Sequence, residues 1–203
     1  KNGDELVLLD AWFPLEQLYY MIEAGGLDVK VTGVLHAGCY DPHDFLAKKL
    51  DNLWALTFEH AVFCRLDKII VFSSFHKQLL LESFPDLKEE KIFVTAFPYD
   101  ASGLDEHYSD CRDIDVVFPH RLDEEKGVCT FAATAKQAKT KQQYYNLLGR
   151  AKYAVSWNKQ ETFGIAMAEA AYLGATPLCP NKLSYPELYG EGRFFDAMTD
   201  LIV

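Results

Sequence analysis

Apolar runs of four to seven residues alternate with longer segments of helical period along most of this chain. The runs are too short for buried helices, and the segments between them can cross from one parallel strand to the next. The chain is therefore expected to be an α/β protein, with parallel sheets covered by helices. At 203 residues and 49% apolar side chains, it can bury a sizeable core as one large domain or two smaller ones.

The pattern opens with the strand-like "ELVLLDAWF". Next, "PLEQLYYMIEA" reads as a helix stopped at Gly25-Gly26, and "VKVTGVLHAG" as a strand and loop. The stretch "HDFLAKKLDNLWALTFEHAVFCRL" has the spacing of one long amphipathic helix. Strand "KIIVFSS", helix "FHKQLLLESF" and strand "KIFVTAFP" complete three β-α steps in the first hundred residues, with Ser73 or Ser74 placed to cap the helix. The small, acidic and turn-forming residues of "YDASGLDEHYSDCRD" break the rhythm. This divides the chain into a first domain over 1–99, a linker over 100–113 and a second domain over 114–203. In the second, "IDVVFPH" reads as a strand, "KGVCTFAATAKQAK" and "QQYYNLLGRA" as helices, "YAVSW" as a strand, and "TPLCP" as a short strand after one more helix.

A net charge of −10 argues against broad electrostatic binding to nucleic acid, while allowing a local basic groove. Cys39, Cys64, Cys111, Cys129 and Cys179 are odd in number and never spaced as CxxC, which fits a reduced, cytoplasmic setting. No apolar run is long enough to span a bilayer. The chain begins at Lys1 without an initiator Met, and upstream sequence is expected to be missing.

Glu169 is the only charged side chain between Gly164 and Pro180. A helix so apolar should be buried nearly all round, and a carboxylate inside it must be hydrogen-bonded, neutralised or turned to a ligand. Seven residues separate it from Glu161, which lies in the polar loop "NKQET" after a strand and so in the crevice beyond the carboxyl edge of the sheet. Gly164 allows close approach to the unpaired amides that begin the helix, where an anionic diphosphate could dock. Alternatively, Glu161 simply complements the helix dipole. In "VVFPHRLDEEKG", Arg121 and Lys126 put cations at the same edge, unless they only pair with Asp123, Glu124 and Glu125 in a solvated loop.

Together, "FPHRLDEEKG" and "RAKYAVSWNKQETFGIAMAEAAYLGATPLCP" resemble the donor-binding domain of retaining GT-B glycosyltransferases, the class with a Glu-seven-Glu motif. The resemblance implies two Rossmann-like domains facing a cleft. It implies a nucleotide-diphosphate sugar as donor, with no metal or other cofactor. Arg121 and Lys126 would hold the diphosphate, Glu161 with Thr162 and the amides around Phe163 and Gly164 the sugar, and Glu169 the ribose. The first half of the chain is similar to the latter part of the acceptor domain, and "TGVLHAG" places His36 where a histidine often faces sugar and acceptor. A histidine at a strand end is otherwise a structural hydrogen-bonder or a surface residue. The tail "PLCPNKLSYPELYG" also resembles tRNA-queuosine mannosyltransferases, which makes a nucleic-acid acceptor one option.

The chain departs from the family in lacking the opening strand and glycine-rich loop of the acceptor domain. It also lacks the central strands expected near residue 140, so the GT-B unit is read as incomplete. A sugar-nucleotide epimerase and a catalytically silent nucleotide-binding module are the alternatives. "HAGCYDPHD" gathers His36, Cys39, Asp41, His43 and Asp44, but its spacing matches no usual metal-ligand pattern. Trp157 either packs or stacks a base, and "KQAKTKQQYY" is a solvated helical face or a contact for an anionic acceptor.

Overall fold

The computed structural model of the protein describes residues 2–12, 15–49, 52–121, 126, 138–190 and 193–195. They form two compact units, Lys1–Ala96 and Phe97–Val203.

The strands of the first unit are Asp4–Leu8 (β1), Val29–Val34 (β2), Lys68–Val71 (β3) and Ile92–Val94 (β4). They form one parallel sheet in the order β1-β2-β3-β4, with Leu6 opposite Val31, Gly33 opposite Ile69 and Ile70 opposite Phe93. Helix Leu15–Ala24 (α1) joins β1 to β2 and stops at Gly25-Gly26. Between β2 and β3, the stretch expected as one helix is two, Phe45–Lys49 (α2) and Asn52–Arg65 (α3), with residues 50 and 51 outside the described residues. On α3, Ala55, Glu59, Val62 and Phe63 are buried at helical spacing, while Leu53 and Trp54 face solvent. Helix Ser74–Ser83 (α4) follows β3, and its N-terminus is capped by Ser73, whose hydroxyl accepts from the His76 amide. Leu15, Leu35, Phe63, Leu66, Ile69 and Leu80 make the core, each at most 1% exposed.

The second unit repeats the plan with Ile114–Val117 (β5), Ala151–Val155 (β6), Thr176–Pro180 (β7) and Arg193–Phe195 (β8), parallel and in the order β5-β6-β7-β8. Its helices are Lys141–Gly149 (α5), Ile165–Tyr172 (α6) and Tyr185–Tyr189 (α7). The helix expected over "KGVCTFAATAKQAK" lies almost entirely outside the described residues, as do Asp123, Glu124, Glu125 and Cys129. Helix α6 is not buried all round: Met167, Glu169 and Ala170 are buried, but Ile165 and Tyr172 are exposed.

The stretch expected as a linker, 100–113, is folded onto this unit. Residues Ser102–His107 form a 3-10 helix that buries Leu104 and His107. Arg112 donates from Nη1 to the Ala151 carbonyl (3.1 Å) and from Nη2 to the Leu173 carbonyl (2.8 Å), so it staples the start of β6 to the end of α6. Acidic and turn residues dominate the composition of the stretch, and these few anchors decide its packing. Among the described residues no helix is long and apolar enough to cross a membrane.

The 3-10 helix approaches α5 so closely that a Cβ added at Gly149 would overlap the carbonyl oxygen of His107. Gly149→Ala is therefore expected to destabilise the protein by about 3 kcal/mol. Urea unfolding reads this directly, and a loss below about 0.5 kcal/mol would refute the close approach.

Candidate functional site

The carboxyl ends of β5 and β6 bring four polar side chains together. Asn158, fully buried three residues beyond β6, donates from Nδ2 to Glu161 Oε2 at 2.9 Å. The same Nδ2 lies 3.5 Å from Nδ1 of His120, three residues beyond β5. Lys126 Nζ donates to the Gln160 carbonyl at 3.2 Å and stands 3.5 Å from the same Glu161 Oε2. Glu161 therefore joins the cation of one loop to the amide of the other. Lys126 itself is only 9% exposed, so its charge acts in a medium less polar than water. Burial, then the Lys126 charge, pushes His120 down to about 3, so its imidazole is neutral near pH 7.

Two atoms of this cluster, Asn158 Oδ1 and His120 Nε2, are buried without a hydrogen-bond partner among the described residues. Orphaned buried polar atoms cost about 1–3 kcal/mol each, so among the described residues the cluster is incomplete as a purely structural network. It has an acceptor and an imidazole nitrogen left to offer a polar ligand. The loop is held from below by Ser156, whose Oγ accepts from the Asn158 amide at 3.3 Å and lies 2.6 Å from the Tyr185 hydroxyl.

Glu161 leads through Thr162 and Phe163 to Gly164, which starts α6 with φ +87° and ψ +49°. That left-handed conformation favours glycine. No side chain caps the helix, and the amides of Met167 and Ala168 turn back to the Gly164 carbonyl. The first amides of α6 are thus presented as donors at the positive end of the helix dipole. The Phe163 ring stacks on Phe97 with centroids 5.0 Å apart.

Glu169, 7% exposed, has its carboxylate enclosed by tyrosines. Tyr99 and Tyr145 donate their hydroxyls to Oε1 at 2.6 and 3.0 Å, and Tyr144 donates to Oε2 at 3.1 Å. Burial first, and then the carboxylate, raises the Tyr99 and Tyr144 phenols, which therefore remain donors. The polar reason for a glutamate inside this helix is in place within the unit itself.

The structure thus gathers Lys126, Glu161, Thr162, Phe163 and Gly164 on two adjoining loops, with exposed Arg121 next to His120. Its additions are His120, Asn158 and the three tyrosines. The strand-end position of "WNKQET" pointed to this loop, yet nothing separated Asn158 from its polar neighbours. Tyr144 and Tyr145 read only as aromatics in a basic stretch. Trp157 packs, stacked on Phe195 with centroids 4.4 Å apart.

In the first unit His36 is exposed at the end of β2, its Nε2 2.9 Å from the Leu9 carbonyl. The loop behind it is fixed by Glu59, 1% exposed. That carboxylate accepts from the Trp12 indole at 2.8 Å, the Cys39 amide at 2.6 Å and the Tyr40 amide at 3.2 Å. Within "HAGCYDPHD", Asp41 and Asp44 accept from the His43 and Leu46 amides, which makes them turn and cap residues. Tyr40 OH lies 2.5 Å from Nε2 of fully buried His76. Burial, then the neighbouring His36, pushes His76 down to about 3, and the phenol, itself raised by burial, donates to it.

Two parallel α/β sheets of this kind are the Rossmann-like halves of a GT-B glycosyltransferase fold, present here in part. Sucrose-phosphate synthase from Thermosynechococcus elongatus is similar over 88% of this chain and 56% of its own, with a TM-score of 0.59 and 12% identity. HepE of Anabaena, solved with UDP and glucose, matches over 84% of this chain and 58% of its own, with a TM-score of 0.57 and 14% identity. The pneumococcal O-GlcNAc transferase GtfA, solved with UDP and GlcNAc, matches over 100% of this chain and 47% of its own, with a TM-score of 0.56 and 13% identity. In sequence, the chain is 36% identical to the tRNA-queuosine alpha-mannosyltransferase of Drosophila melanogaster over 61 residues, 30% of this chain and 16% of that protein. No family model matches. The chain spans about half the length of these solved structures.

Two predictions follow from the buried groups. Glu169→Gln would turn one acceptor into a donor facing a phenol, and should cost about 2–4 kcal/mol against about 1 for Tyr99→Phe. Near-equal losses in urea unfolding would contradict the tyrosine cage. His76 has its folded pKa depressed from 6.5 to about 3, so its contribution to stability is present above about pH 6.5 and is lost as pH falls towards 3. From about pH 7 to about pH 5 the protein should lose on the order of 2 kcal/mol more than His76→Gln does. Comparison with the variant cancels the opposite contribution of Glu59, whose pKa burial raises. Parallel pH profiles would contradict a buried neutral His76.

Proposed function

We propose that this chain is part of a retaining glycosyltransferase that moves a sugar from a nucleotide-diphosphate sugar to an acceptor. The carrying observation is the cluster of Lys126, Glu161, Asn158 and His120 beside the uncapped start of α6. It offers a little-exposed cation and helix amides for a diphosphate, and acceptors for sugar hydroxyls. In this reading Lys126 and Arg121 bind the diphosphate. Glu161, Thr162 and the amides at Phe163 and Gly164 hold the sugar.

Catalysis would be electrostatic: Lys126, Arg121 and the α6 N-terminus stabilise charge as the bond from the anomeric carbon to phosphate oxygen breaks. The acceptor oxygen bonds to that carbon on the same face, and its proton passes to the departing phosphate. No metal ion takes part. Glu169 already accepts three hydrogen bonds, two on Oε1 and one on Oε2, which leaves about one acceptor position on Oε2 for a ribose hydroxyl. His36 is the residue assigned to the acceptor. The local likeness to a tRNA-queuosine mannosyltransferase makes tRNA the first acceptor to try and mannose the first sugar. The cysteines among the described residues, free and widely scattered, support a cytoplasmic setting.

A second reading has an observation of its own. The tyrosines satisfy Glu169 without any ligand, so its burial requires no catalysis, and in this reading the unit is a catalytically silent nucleotide-binding module. It would bind nucleotide and transfer nothing.

Thermal unfolding with UDP, GDP or ADP tests the site in both readings. A nucleotide at about a hundred times its Kd adds roughly 2.7 kcal/mol, a rise of several degrees in Tm. One nucleotide should give this shift, and Lys126→Ala should lose it. No shift with any of the three would refute the donor site.

A further inference from the structure

Outside the loops discussed above, the first unit carries a cluster with a different chemistry. His60 and Cys64 lie one turn apart on α3, and Asp86 lies in the loop between α4 and β4. The ligand atoms of all three fall within 4.8 Å of one another. His60 Nε2 is 2.8 and 2.9 Å from the two carboxylate oxygens of Asp86. The imidazole is held in plane by Phe84, on which it stacks with centroids 5.4 Å apart and an angle of 8°. Lys91 donates to the Cys64 and Leu66 carbonyls at 2.9 Å each, which fixes the end of α3 against the start of β4. The three groups therefore sit on a scaffold that is already ordered.

We infer that His60, Cys64 and Asp86 form a binding site for one divalent transition-metal ion of the zinc class. Nitrogen, sulfur and carboxylate oxygen are the ligand types that zinc takes in tetrahedral sites, with bonds of about 2.0–2.3 Å. Those bonds require ligand atoms roughly 3.3–3.6 Å apart, which small side-chain rotations reach from the observed spacing. The ion takes the place of the proton between His60 Nε2 and Asp86. Cys64 binds as thiolate, its proton going to solvent. The exposed Cys64 and Asp86 leave the fourth position open to water. The ion would tie α3 to the α4–β4 loop, a structural task independent of the donor site. The sequence hides the site because Asp86 lies 22 positions beyond Cys64, outside any short ligand motif.

Cobalt(II) is the probe, because a thiolate ligand gives it a near-ultraviolet charge-transfer band and tetrahedral coordination gives strong visible bands. Titration of the full chain should produce both at one ion per chain, and zinc should abolish them. Cys64→Ser should remove the near-ultraviolet band, and His60→Gln and Asp86→Asn should each weaken binding at least about tenfold. Cys111→Ser, the other exposed cysteine among the described residues, should change nothing. Cys64, Asp86 and Cys111 are exposed and His60 is half-buried, so each variant should still fold and unfold cooperatively without metal. Absence of the bands, or bands unchanged in Cys64→Ser and His60→Gln, would overturn the site.

Discussion

One buried carboxylate organises the second unit. Glu169 sits on α6, and its hydrogen-bond donors come from the entry segment through Tyr99 and from α5 through Tyr144 and Tyr145. Tyr144 also reaches the Pro119 carbonyl, so the end of β5 belongs to the same network. An ionised carboxylate left unpaired in such surroundings would cost several kcal/mol. Three hydroxyl donors offset that cost, and the Lys141 charge acts on the carboxylate as well. Removing any element from the set exposes the others to it, so the position of α6, and of the amides at its start, depends on this interaction.

The first unit uses a similar device. Glu59 lies under the loop that follows β2, and its carboxylate takes an indole and two backbone amides. In each unit a buried glutamate on a helix fixes the segments around the carboxyl ends of the strands. These segments need such fixing because they lack the regular hydrogen bonding of strands and helices. The difference lies in what surrounds the unsatisfied atoms, because the first unit also keeps Tyr19 OH and His76 Nδ1 buried without partners among the described residues. Asn158 and His120 of the second unit keep buried polar atoms without partners, and a cation and a helix N-terminus stand beside them. Buried polar atoms left open next to positive charge are the observation on which the proposed donor site rests.

Periodicity made the parallel architecture legible. β1 to β7 and most helices follow from short apolar runs, helical spacing and the Gly25-Gly26 stop. Helix α7 and strand β8 were not read, because neither lies in an apolar run of four or more residues or in a segment of helical period. The packing of 102–107 on α5 was equally hidden, because Leu104, His107 and Arg112 act singly among turn-forming residues. At the site, Glu161 and Lys126 were legible from strand-loop-helix placement, since charge at a strand end has a direction. Glu169 was legible as a paradox but not in its solution. Its three donors come from positions 24 to 70 residues away, a relation that no local pattern expresses. Glu59 was hidden within an amphipathic helix, where a glutamate looks like any solvent-facing residue until burial is known.

The central claim is that the anion site lies at the start of α6. Residue-resolved amide hydrogen exchange, with and without the nucleoside diphosphate that stabilises the protein, tests it most directly. The account predicts slowed exchange at Gly164, Ile165 and Ala166 on binding, with little change in the first unit's sheet. Protection elsewhere, with these three amides exchanging as before, would contradict it.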